Sequence, residues 1–279
     1  MFIAKPADGL VWITGASSGI GRQVAMDLAR EGYRVAVSAR RGEVLDEMAA
    51  GHSGSGIAAG NSGRGMVAGN SGRGAILPYP LDLTDSDAVA ATVARMTAEH
   101  GSIALAFLNV GLFAVDRKQP FSAGNGWKTM EGNVKTVINA LDPLIQHMSE
   151  QARGQIVINA SLSSYIGLPG AGYYGASKAA LLHLCETLRA QLIGNGIIVQ
   201  VVNCGFIDTP LTAGARFPMP FLMRVDQASR RIVSGMHSGR FDITFPRRLS
   251  WMLKALRLLP YSLALRLTAR AASRSPDKV

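Results

Sequence analysis

A glycine-rich turn close to the start of the chain restricts the possible folds more than any other stretch. The apolar run at residues 10–13 is followed by TGASSGIG at residues 14–21, and then by a helical pattern that places Val24, Leu28 and Ala29 on one side. Glycines let a backbone approach a pyrophosphate closely, and the first turn of a helix offers free N–H groups and a partial positive charge. This order of elements predicts a dinucleotide phosphate site; the alternative is a glycine-rich turn without a ligand.

Two arginines follow the second predicted strand, at residues 33–38. The sequence continues Ala39-Arg40-Arg41 and has no acidic residue there. In dinucleotide-binding folds an acid at this place binds the ribose 2′-hydroxyl of NAD, whereas an arginine accommodates the 2′-phosphate of NADP. We therefore predict NADP(H) as the cofactor, with Arg40 as the phosphate partner. The alternative is a solvated basic turn.

Apolar runs that alternate with helical patterns extend this unit into a larger sheet. Six runs are interpreted as buried strands, at residues 10–13, 33–38, 75–80, 103–108, 155–160 and 197–203. Such alternation predicts an α/β fold with a single doubly wound parallel sheet of the Rossmann type and helices on both faces. Ligands bind at the carboxyl ends of the strands in this architecture. The residues expected there are Gly15, Arg40, Asp82, Asn109, Ser161 and Gly205.

A stretch rich in Gly, Ser and Asn interrupts the pattern at residues 51–74. The heptapeptide AGNSGRG occurs twice in it, at residues 59–65 and 68–74. Its few apolar side chains cannot offset the backbone entropy that an ordered structure would lose. We predict a flexible surface insertion within a catalytic domain that spans residues 1–245.

Reactive side chains are concentrated in SLSSYIGLPGAGYYGASKAAL, residues 161–181. Lys178 follows Tyr174 by four residues, so a helix places the phenol and the ammonium on one face. A lysine cation beside a phenol lowers the pKa of the phenol, which can then exchange a proton with an alcohol or a ketone near neutral pH. The glycine-rich loop before Tyr174 can bring Ser161 to the same substrate oxygen. The alternative is packing of the ring under the lysine stem; Tyr173 has only Ser177 four residues later.

Composition favours a soluble globular protein. The chain is 48% hydrophobic and 17% charged, and we see no long apolar run free of charge that would predict a transmembrane helix. The N-terminus lacks the features of a signal peptide, so the cytosol is the expected location. Two cysteines do not suggest a disulfide scaffold, and the histidines have no ligand spacing, so no metal is predicted.

Together these motifs resemble those of the short-chain dehydrogenase/reductase family over about residues 9–211. Residues 14–21 look like the family's TGxxxGxG cofactor turn, and residues 109–111, Asn-Val-Gly, are similar to its Asn-Ala-Gly. The family usually has proline before the glycine at position 205, where this chain has Cys204. Four residues match the family's catalytic set in order and spacing: Asn133, Ser161, Tyr174 and Lys178.

The resemblance implies a role for each of these four residues. Tyr174 is the expected general acid in ketone reduction and the expected base in alcohol oxidation. Lys178 is expected to lower the pKa of Tyr174 and to hold the nicotinamide ribose, and Ser161 to hydrogen-bond the substrate oxygen. Asn133 is expected to order a water that links Lys178 to solvent. Subunits of this family pair through the corresponding long helices, which implies a homodimer or homotetramer.

The resemblance also implies the cofactor-binding residues. Asp82 matches the acid that faces the adenine amino group, and residues 205–209 look like the segment that closes on the nicotinamide. The full expected set is Gly15, Ser17, Ser18, Gly19, Ile20, Gly21, Arg40, Asp82, Leu83, Asn109, Tyr174, Lys178, Gly205, Ile207 and Thr209.

The last third of the chain differs in character from the rest. Residues 206–235 are rich in large apolar side chains and are expected to form a substrate lid, which suggests an acyl, steroid-like or terpenoid substrate; ordinary core packing is the alternative. Residues 246–279 are expected to form a basic, amphipathic, helical extension, and nearly all of the net charge of +10 lies beyond residue 215. The extension fits peripheral contact with an anionic membrane through residues 246–274, or packing on the core or on a second subunit. Nucleic acid is not expected, because few aromatics are interleaved with the basic residues.

The leading interpretation is an NADP(H)-dependent oxidoreductase. It would transfer a hydride between the nicotinamide and a small-molecule carbonyl or secondary alcohol with an apolar body. The alternative is a non-catalytic NADP(H)-binding sensor or scaffold that docks on a membrane or a partner through its basic C-terminal region. The complete Asn-Ser-Tyr-Lys set favours the enzyme, because a sensor has no need of a tuned phenol.

Overall fold

One parallel sheet organises the structure, a computed structural model that describes residues 1–53, 74–113, 121–213 and 219–273. Within these residues, seven strands lie in the order β3-β2-β1-β4-β5-β6-β7, and every neighbouring pair is parallel. The strands are β1 (Leu10–Thr14), β2 (Arg34–Ser38), β3 (Ala75–Pro78), β4 (Ile103–Leu108), β5 (Gly154–Asn159), β6 (Ile197–Cys204) and β7 (Asp242–Phe245). The α-helices are α1 (Gly19–Arg30), α2 (Gly42–Ser53), α3 (Ser86–His100), α4 (Ala123–Met130), α5 (Thr136–Glu150), α6 (Gly172–Leu192), α7 (Val225–Ser238), α8 (Arg247–Leu258) and α9 (Tyr261–Ser273).

Both faces of the sheet are covered by helices. Alternate residues of a strand point to opposite faces, so Val11 and Ile13 pack in one core with apolar residues of α1, α2 and α7. Leu10 and Trp12 pack in a second core with apolar residues of α3, α5 and α6. Because both faces are buried, the strands are continuous apolar runs, as expected for parallel sheets. The predicted doubly wound parallel sheet is confirmed.

The structure corrects the predicted elements in two places. The sequence predicts six strands, and β7 is a seventh, paired with β6 at the edge of the sheet. Its sequence, DITF, is only four residues long and only alternately buried, so it lacks the continuous apolar run of the others. The sequence pattern also predicts one long helix at residues 127–148, but a π-helical turn, Glu131–Lys135, divides it into α4 and α5.

Two predicted segments lie partly outside the described residues. Of the insertion predicted at residues 51–74, residues 54–73 are not described, and α2 continues as far as Ser53. Of the lid predicted at residues 206–235, residues 214–218 are not described. The end of that segment belongs to α7, which buries Ile232 and Met236 in the core. The insertion and the lid stay predictions.

The C-terminal helices pack on the loop that follows β5. Leu253 of α8 and Ala264 of α9 are buried in a small cluster with Leu162, Tyr165 and Ile166. Met252 and Leu259 lie outside this cluster and are 58% and 36% exposed. Polar contacts fix the rotation of α8. Ser250 and Lys254 bond Thr244 and Asp242 of β7, at 3.1 Å and 2.7 Å.

Candidate active site

The turn between β1 and α1 has no room for additional side chains. Gly15 and Gly19 have φ angles of 65° and 54°, a region that glycine adopts without strain. A Cβ on Gly21 would lie 2.5 Å from the Gly15 carbonyl oxygen and 2.6 Å from the side-chain nitrogen of Asn109. The side chain of Ser18 does not cap α1. The turn thus forms a backbone cradle at a helix N-terminus, which fits a pyrophosphate.

Ser17 and Ile20 complete this turn, and a basic pair lies beside it. Arg41 Nη2 donates a hydrogen bond to Ser17 Oγ at 3.0 Å, while Arg40 is exposed at the end of β2. Arg40 is the predicted phosphate partner, and the contact of the adjacent Arg41 was not predicted. Two guanidinium groups at this strand end fit an anionic group on the ribose.

Asp82 lies in the turn after β3 and is held ionised. Its Oδ1 accepts hydrogen bonds from the backbone N–H and the hydroxyl of Thr84, at 2.9 Å and 2.8 Å. These bonds, with a smaller contribution from Arg40, hold the pKa of the carboxyl below its usual value. The neighbouring Leu83 is buried, and its carbonyl accepts a hydrogen bond from Asn139 at 2.9 Å. The turn is therefore fixed on both sides of the carboxylate.

A chain of hydrogen bonds joins the cofactor turn to the catalytic residues. The Asn109 backbone N–H donates to Thr14 Oγ1 at 3.0 Å, and Asn109 Oδ1 accepts from Asn159 Nδ2 at 2.8 Å. The Asn159 carbonyl accepts from Lys178 Nζ at 2.8 Å, and its Oδ1 accepts from the Cys204 thiol at 3.7 Å. Asn159 was not among the predicted site residues. The signal that could have identified it is a polar residue at the end of an otherwise apolar strand, two positions before Ser161.

Tyr174, Lys178 and Ser161 come together as their spacing predicts. Tyr174 and Lys178 lie one turn apart on α6, with Lys178 Nζ 5.8 Å from the centroid of the Tyr174 ring. Ser161 follows β5, and its side chain lies beside that of Tyr174. The ring of Phe113, which no sequence motif identifies, packs edge-on against Tyr174 with 5.0 Å between centroids. A phenol, a hydroxyl and an ammonium therefore lie together at the carboxyl end of the sheet.

Burial changes the pKa values of Tyr174 and Lys178 more than the attraction between the two side chains does. It raises the pKa of Tyr174 above its usual value, and the neighbouring Ser161 hydroxyl has a smaller effect in the opposite direction. The effect expected from Lys178, a lower pKa of Tyr174, is therefore outweighed by burial. Burial also lowers the pKa of Lys178 to about 8, so the ammonium itself loses its proton at mildly alkaline pH.

Asn133 is buried in the π-helical turn next to these side chains. Its Oδ1 accepts the N–H of Leu112 at 2.6 Å, and its Nδ2 donates to the Leu112 carbonyl at 3.0 Å and to Ser177 Oγ at 2.8 Å. A π-helical turn re-aims side chains within a helix and is frequent at functional sites. Asn133 thus fixes both the loop after β4 and the residue that precedes Lys178.

Residues 205–209 lie beside the glycine-rich turn. A Cβ on Gly205 would lie 2.8 Å from Pro246 Cδ, so the turn after β6 admits only glycine without a shift. Ile207 is buried and forms a bridge with Met223. The methyl group of Thr209 lies 3.2 Å from the position of a Cβ on Gly19. The structure therefore brings all three predicted residues to the same end of the sheet as the cofactor turn.

Replacing Lys178 with methionine is expected to remove one pH dependence of stability. A lysine whose usual pKa of 10.5 falls to about 8 on folding destabilises the fold at low pH, and this cost disappears as the pH rises from about 8 to 10.5. The unfolded state binds more protons in that window, so the free energy of unfolding rises there, by at most about 3 kcal/mol. Urea unfolding below and within the window measures the rise. Lys178→Met should lose it, while the exposed control Lys5→Met should keep it; equal rises in both variants would contradict the assignment.

Comparison with known proteins places this geometry in a family. Residues 9–218 match the short chain dehydrogenase family. An uncharacterized oxidoreductase of Myxococcus xanthus is 32% identical over 89% of this chain and 91% of its own length. The 3-oxoacyl-(acyl-carrier-protein) reductase FabG of Thermotoga maritima is 29% identical over 72% of this chain and 74% of its own.

A solved structure agrees with these matches. The crystal structure of a short-chain type dehydrogenase/reductase from Mycobacterium marinum has a TM-score of 0.70, with 26% identity over 85% of this chain and 92% of that one. The family match extends from the glycine-rich turn through Ser161, Tyr174 and Lys178. The chain therefore belongs to the short-chain dehydrogenase family of oxidoreductases, which bind a nicotinamide cofactor and act on small molecules.

Proposed function

We propose that the protein is an NADP(H)-dependent oxidoreductase that interconverts an apolar ketone or aldehyde and the corresponding alcohol. The observation that carries this proposal is the proximity of Tyr174, Ser161 and Lys178, at the sheet end that also holds the glycine-rich cradle. A site that only binds nucleotide does not require this combination. The reaction is tested by formation of the secondary alcohol from a long-chain ketone in the presence of NADPH, with Tyr174→Phe as the inactive comparison.

The four catalytic residues divide the work at the substrate oxygen. Ser161 hydrogen-bonds the carbonyl oxygen and orients it beside Tyr174, and the Tyr174 hydroxyl donates a proton to that oxygen in reduction and takes it back in oxidation. Lys178 replenishes the proton and stabilises the phenolate by its positive charge. Asn133 orders a water that carries protons between Lys178 and solvent. The bound nicotinamide supplies or accepts the hydride.

The cofactor is held from both sides of β1. The cradle at residues 15–21 and the first turn of α1 receive the pyrophosphate, and Asp82 with Leu83 face the adenine. Asn109, Tyr174, Lys178 and the residues Gly205, Ile207 and Thr209 would hold the nicotinamide end. Arg40 and Arg41 would hold the 2′-phosphate of NADP; the bond between Arg41 and Ser17 supports this, because it places a guanidinium at the phosphate turn.

An apolar substrate is supported by the side chains around the site. Phe113 packs against Tyr174, and Leu211, Phe221 and Leu222 of the proposed lid leave 43%, 47% and 48% of their surfaces exposed. Exposed large apolar side chains beside a polar site fit a substrate with an apolar body. The name of the Thermotoga maritima relative, a 3-oxoacyl reductase, points in the same direction.

The proposal extends to the organisation of the chain. Residues 1–245 form the catalytic domain and residues 246–279 the helical extension. Trp127 and Ile138, on α4 and α5, are 71% and 52% exposed, which supports a homodimer or homotetramer paired through these helices. The two cysteines are free and buried, which suits a reducing compartment such as the cytosol.

Replacing Arg40 with aspartate is expected to shift the cofactor preference towards NADH. Loss of a charge-assisted hydrogen bond to phosphate, and repulsion by the new carboxylate, should lower the ratio of kcat/KM for NADPH to that for NADH by about 10- to 100-fold. Arg41→Ser should shift the same ratio in the same direction by less. Lys5→Asp, which lies before β1 at the opposite end of the sheet, changes the net charge equally and should leave the ratio unchanged. An unchanged ratio in Arg40→Asp would sink the assignment.

A further inference from the structure

The outer surface of α8 is apolar although it faces away from the core. Ser250 and Leu253 point inward and are buried. Trp251 and Leu258, two turns apart on the opposite side of the helix, are 71% and 86% exposed, and Met252 is 58% exposed. These are large apolar side chains that the fold of one chain leaves uncovered.

The following helix continues this apolar surface. In α9, Ala264 and Thr268 are buried against the rest of the protein. Leu263, Leu265 and Leu267 remain 46%, 53% and 39% exposed, and Tyr261 at the start of the helix is 69% exposed. We call the exposed apolar residues of the two helices the C-terminal surface: Trp251, Met252, Leu258, Tyr261, Leu263, Leu265 and Leu267.

The charge of this segment has one sign only. Residues 246–276 contain seven arginines and lysines and no aspartate or glutamate. Arg247 and Arg248 are exposed at the start of α8, and Arg266 is exposed on α9. Lys254 is paired with Asp242 of β7, so its charge is offset, while these three arginines lie at or beside the C-terminal surface.

These observations indicate which partner binds the C-terminal surface. A second copy would bring two strongly positive segments together, with no acid in either segment to pair with them, and the repulsion would oppose association. Nucleic acid would satisfy the arginines but leave the exposed leucines against phosphate and water. An anionic bilayer satisfies both, because its headgroups attract the arginines and its acyl boundary accepts the apolar side chains.

The lengths of the helices decide how they would lie in the bilayer. No helix among the described residues is long and apolar enough to cross a membrane. α8 and α9 have 12 and 13 residues, so each extends about 20 Å at the α-helical rise per residue. Tryptophan and tyrosine favour the headgroup level, which Trp251 and Tyr261 would occupy. We propose that the C-terminal surface docks the protein, in the plane of the interface, on an anionic lipid bilayer.

Vesicle flotation with the full chain tests this proposal. The lipids are phosphatidylcholine alone and phosphatidylcholine mixed with the anionic phosphatidylglycerol, each at low and at high salt. We expect the protein to float with the anionic vesicles at low salt, to float less at high salt, and to stay unbound with the neutral vesicles. Arg247→Glu/Arg248→Glu and Trp251→Ser are each expected to lower the bound fraction about tenfold.

Two matched control variants distinguish an effect of the C-terminal surface from a general effect of net charge or of an exposed apolar side chain. Lys5→Glu/Arg240→Glu changes the net charge by the same amount at exposed positions outside the extension. Phe121→Ser removes an aromatic side chain whose exposure of 72% is close to the 71% of Trp251. Both controls should float like the wild type. All the substituted side chains are exposed, and circular dichroism verifies that each variant is folded.

Three results would overturn the proposal. The first is failure of the wild-type protein to float with anionic vesicles at low salt. The second is an equal loss of binding in the control variants. The third is a Trp251→Ser variant that floats like the wild type but dissociates into smaller species in light scattering, which would assign the surface to a second copy. Binding of a DNA or RNA oligonucleotide by a wild-type protein that does not float with anionic vesicles would assign the basic surface to nucleic acid instead.

Discussion

Tyr174→Phe is expected to lower kcat about 1,000-fold while the dissociation constant for NADPH stays within about threefold of the wild type. The loss corresponds to about 4 kcal/mol of transition-state stabilisation, because phenylalanine cannot donate or accept the proton at the substrate oxygen. The ring itself is kept, so the edge-on packing against Phe113 and the fold should be unchanged. Steady-state kinetics with NADPH and a long-chain ketone, together with a fluorescence titration of NADPH, measure the two effects separately.

Tyr173 supplies the matched control for this substitution. It lies one residue earlier, and its hydroxyl donates to the Phe121 carbonyl at 3.1 Å, away from Ser161 and Lys178. Tyr173→Phe also removes one hydroxyl from the same helix turn, and its kcat should stay within about threefold of the wild type. Near-normal turnover in Tyr174→Phe, or an equal loss in Tyr173→Phe, would refute the role of Tyr174.

Gly21→Ala is expected to weaken NADPH binding about 100-fold. The added methyl group would lie 2.5 Å from the Gly15 carbonyl oxygen and 2.6 Å from Asn109 Nδ2, and the first of these is backbone that can only move by distorting the cradle. Overpacking of this kind costs about 1–3 kcal/mol, which appears as lost affinity if the cradle shifts. Isothermal titration with NADPH measures the affinity, and thermal unfolding measures any cost to the fold.

Gly51 is the control glycine, since a Cβ there would meet no atom of the described residues within 4 Å. It lies inside α2, so Gly51→Ala should raise the free energy of unfolding by up to about 1 kcal/mol through helix propensity and leave NADPH binding unchanged. If Gly21→Ala bound NADPH as tightly as the wild type, the turn would not be the phosphate cradle.

Features that depend on local periodicity could be predicted from the sequence. The apolar run before the glycine-rich turn and the four-residue spacing of Tyr174 and Lys178 are set by neighbouring residues, and both occur in the structure as expected. The carboxyl-end positions of Gly15, Asn109 and Ser161 followed from the parallel order of the strands. These inferences required only the two repeat lengths of helix and strand.

Features that depend on contacts distant in sequence could not be predicted. The edge strand β7 has a weak pattern of its own and is identified by its pairing with β6. The direction in which the pKa of Tyr174 moves depends on burial by several elements. The sequence spacing identifies only one neighbour of Tyr174, which is Lys178. The same holds for the rotation of α8, which is fixed by the contacts of Ser250 and Lys254 with β7.

Some features of the site have no sequence pattern that would identify them. Asn159 ends a strand, and only the fold shows that its carbonyl accepts the Lys178 ammonium and that its side chain bonds Asn109. The π-helical turn at Asn133 likewise has no apolar signature, because it changes the helix by a single residue and leaves the surrounding periodicity nearly intact. Asn159 is identified only by hydrogen bonds between different elements, whereas Asn133 was predicted from the resemblance and only its π-helical turn was not.

The most direct test of the central claim is NADPH consumption by the wild-type protein with ketones and aldehydes of increasing chain length. We expect turnover that rises with chain length, with one alcohol formed for each NADPH oxidised, because the site joins a proton donor to an apolar surface. Tight binding of NADPH without turnover on any member of the series would contradict the enzymatic function and favour a nucleotide sensor.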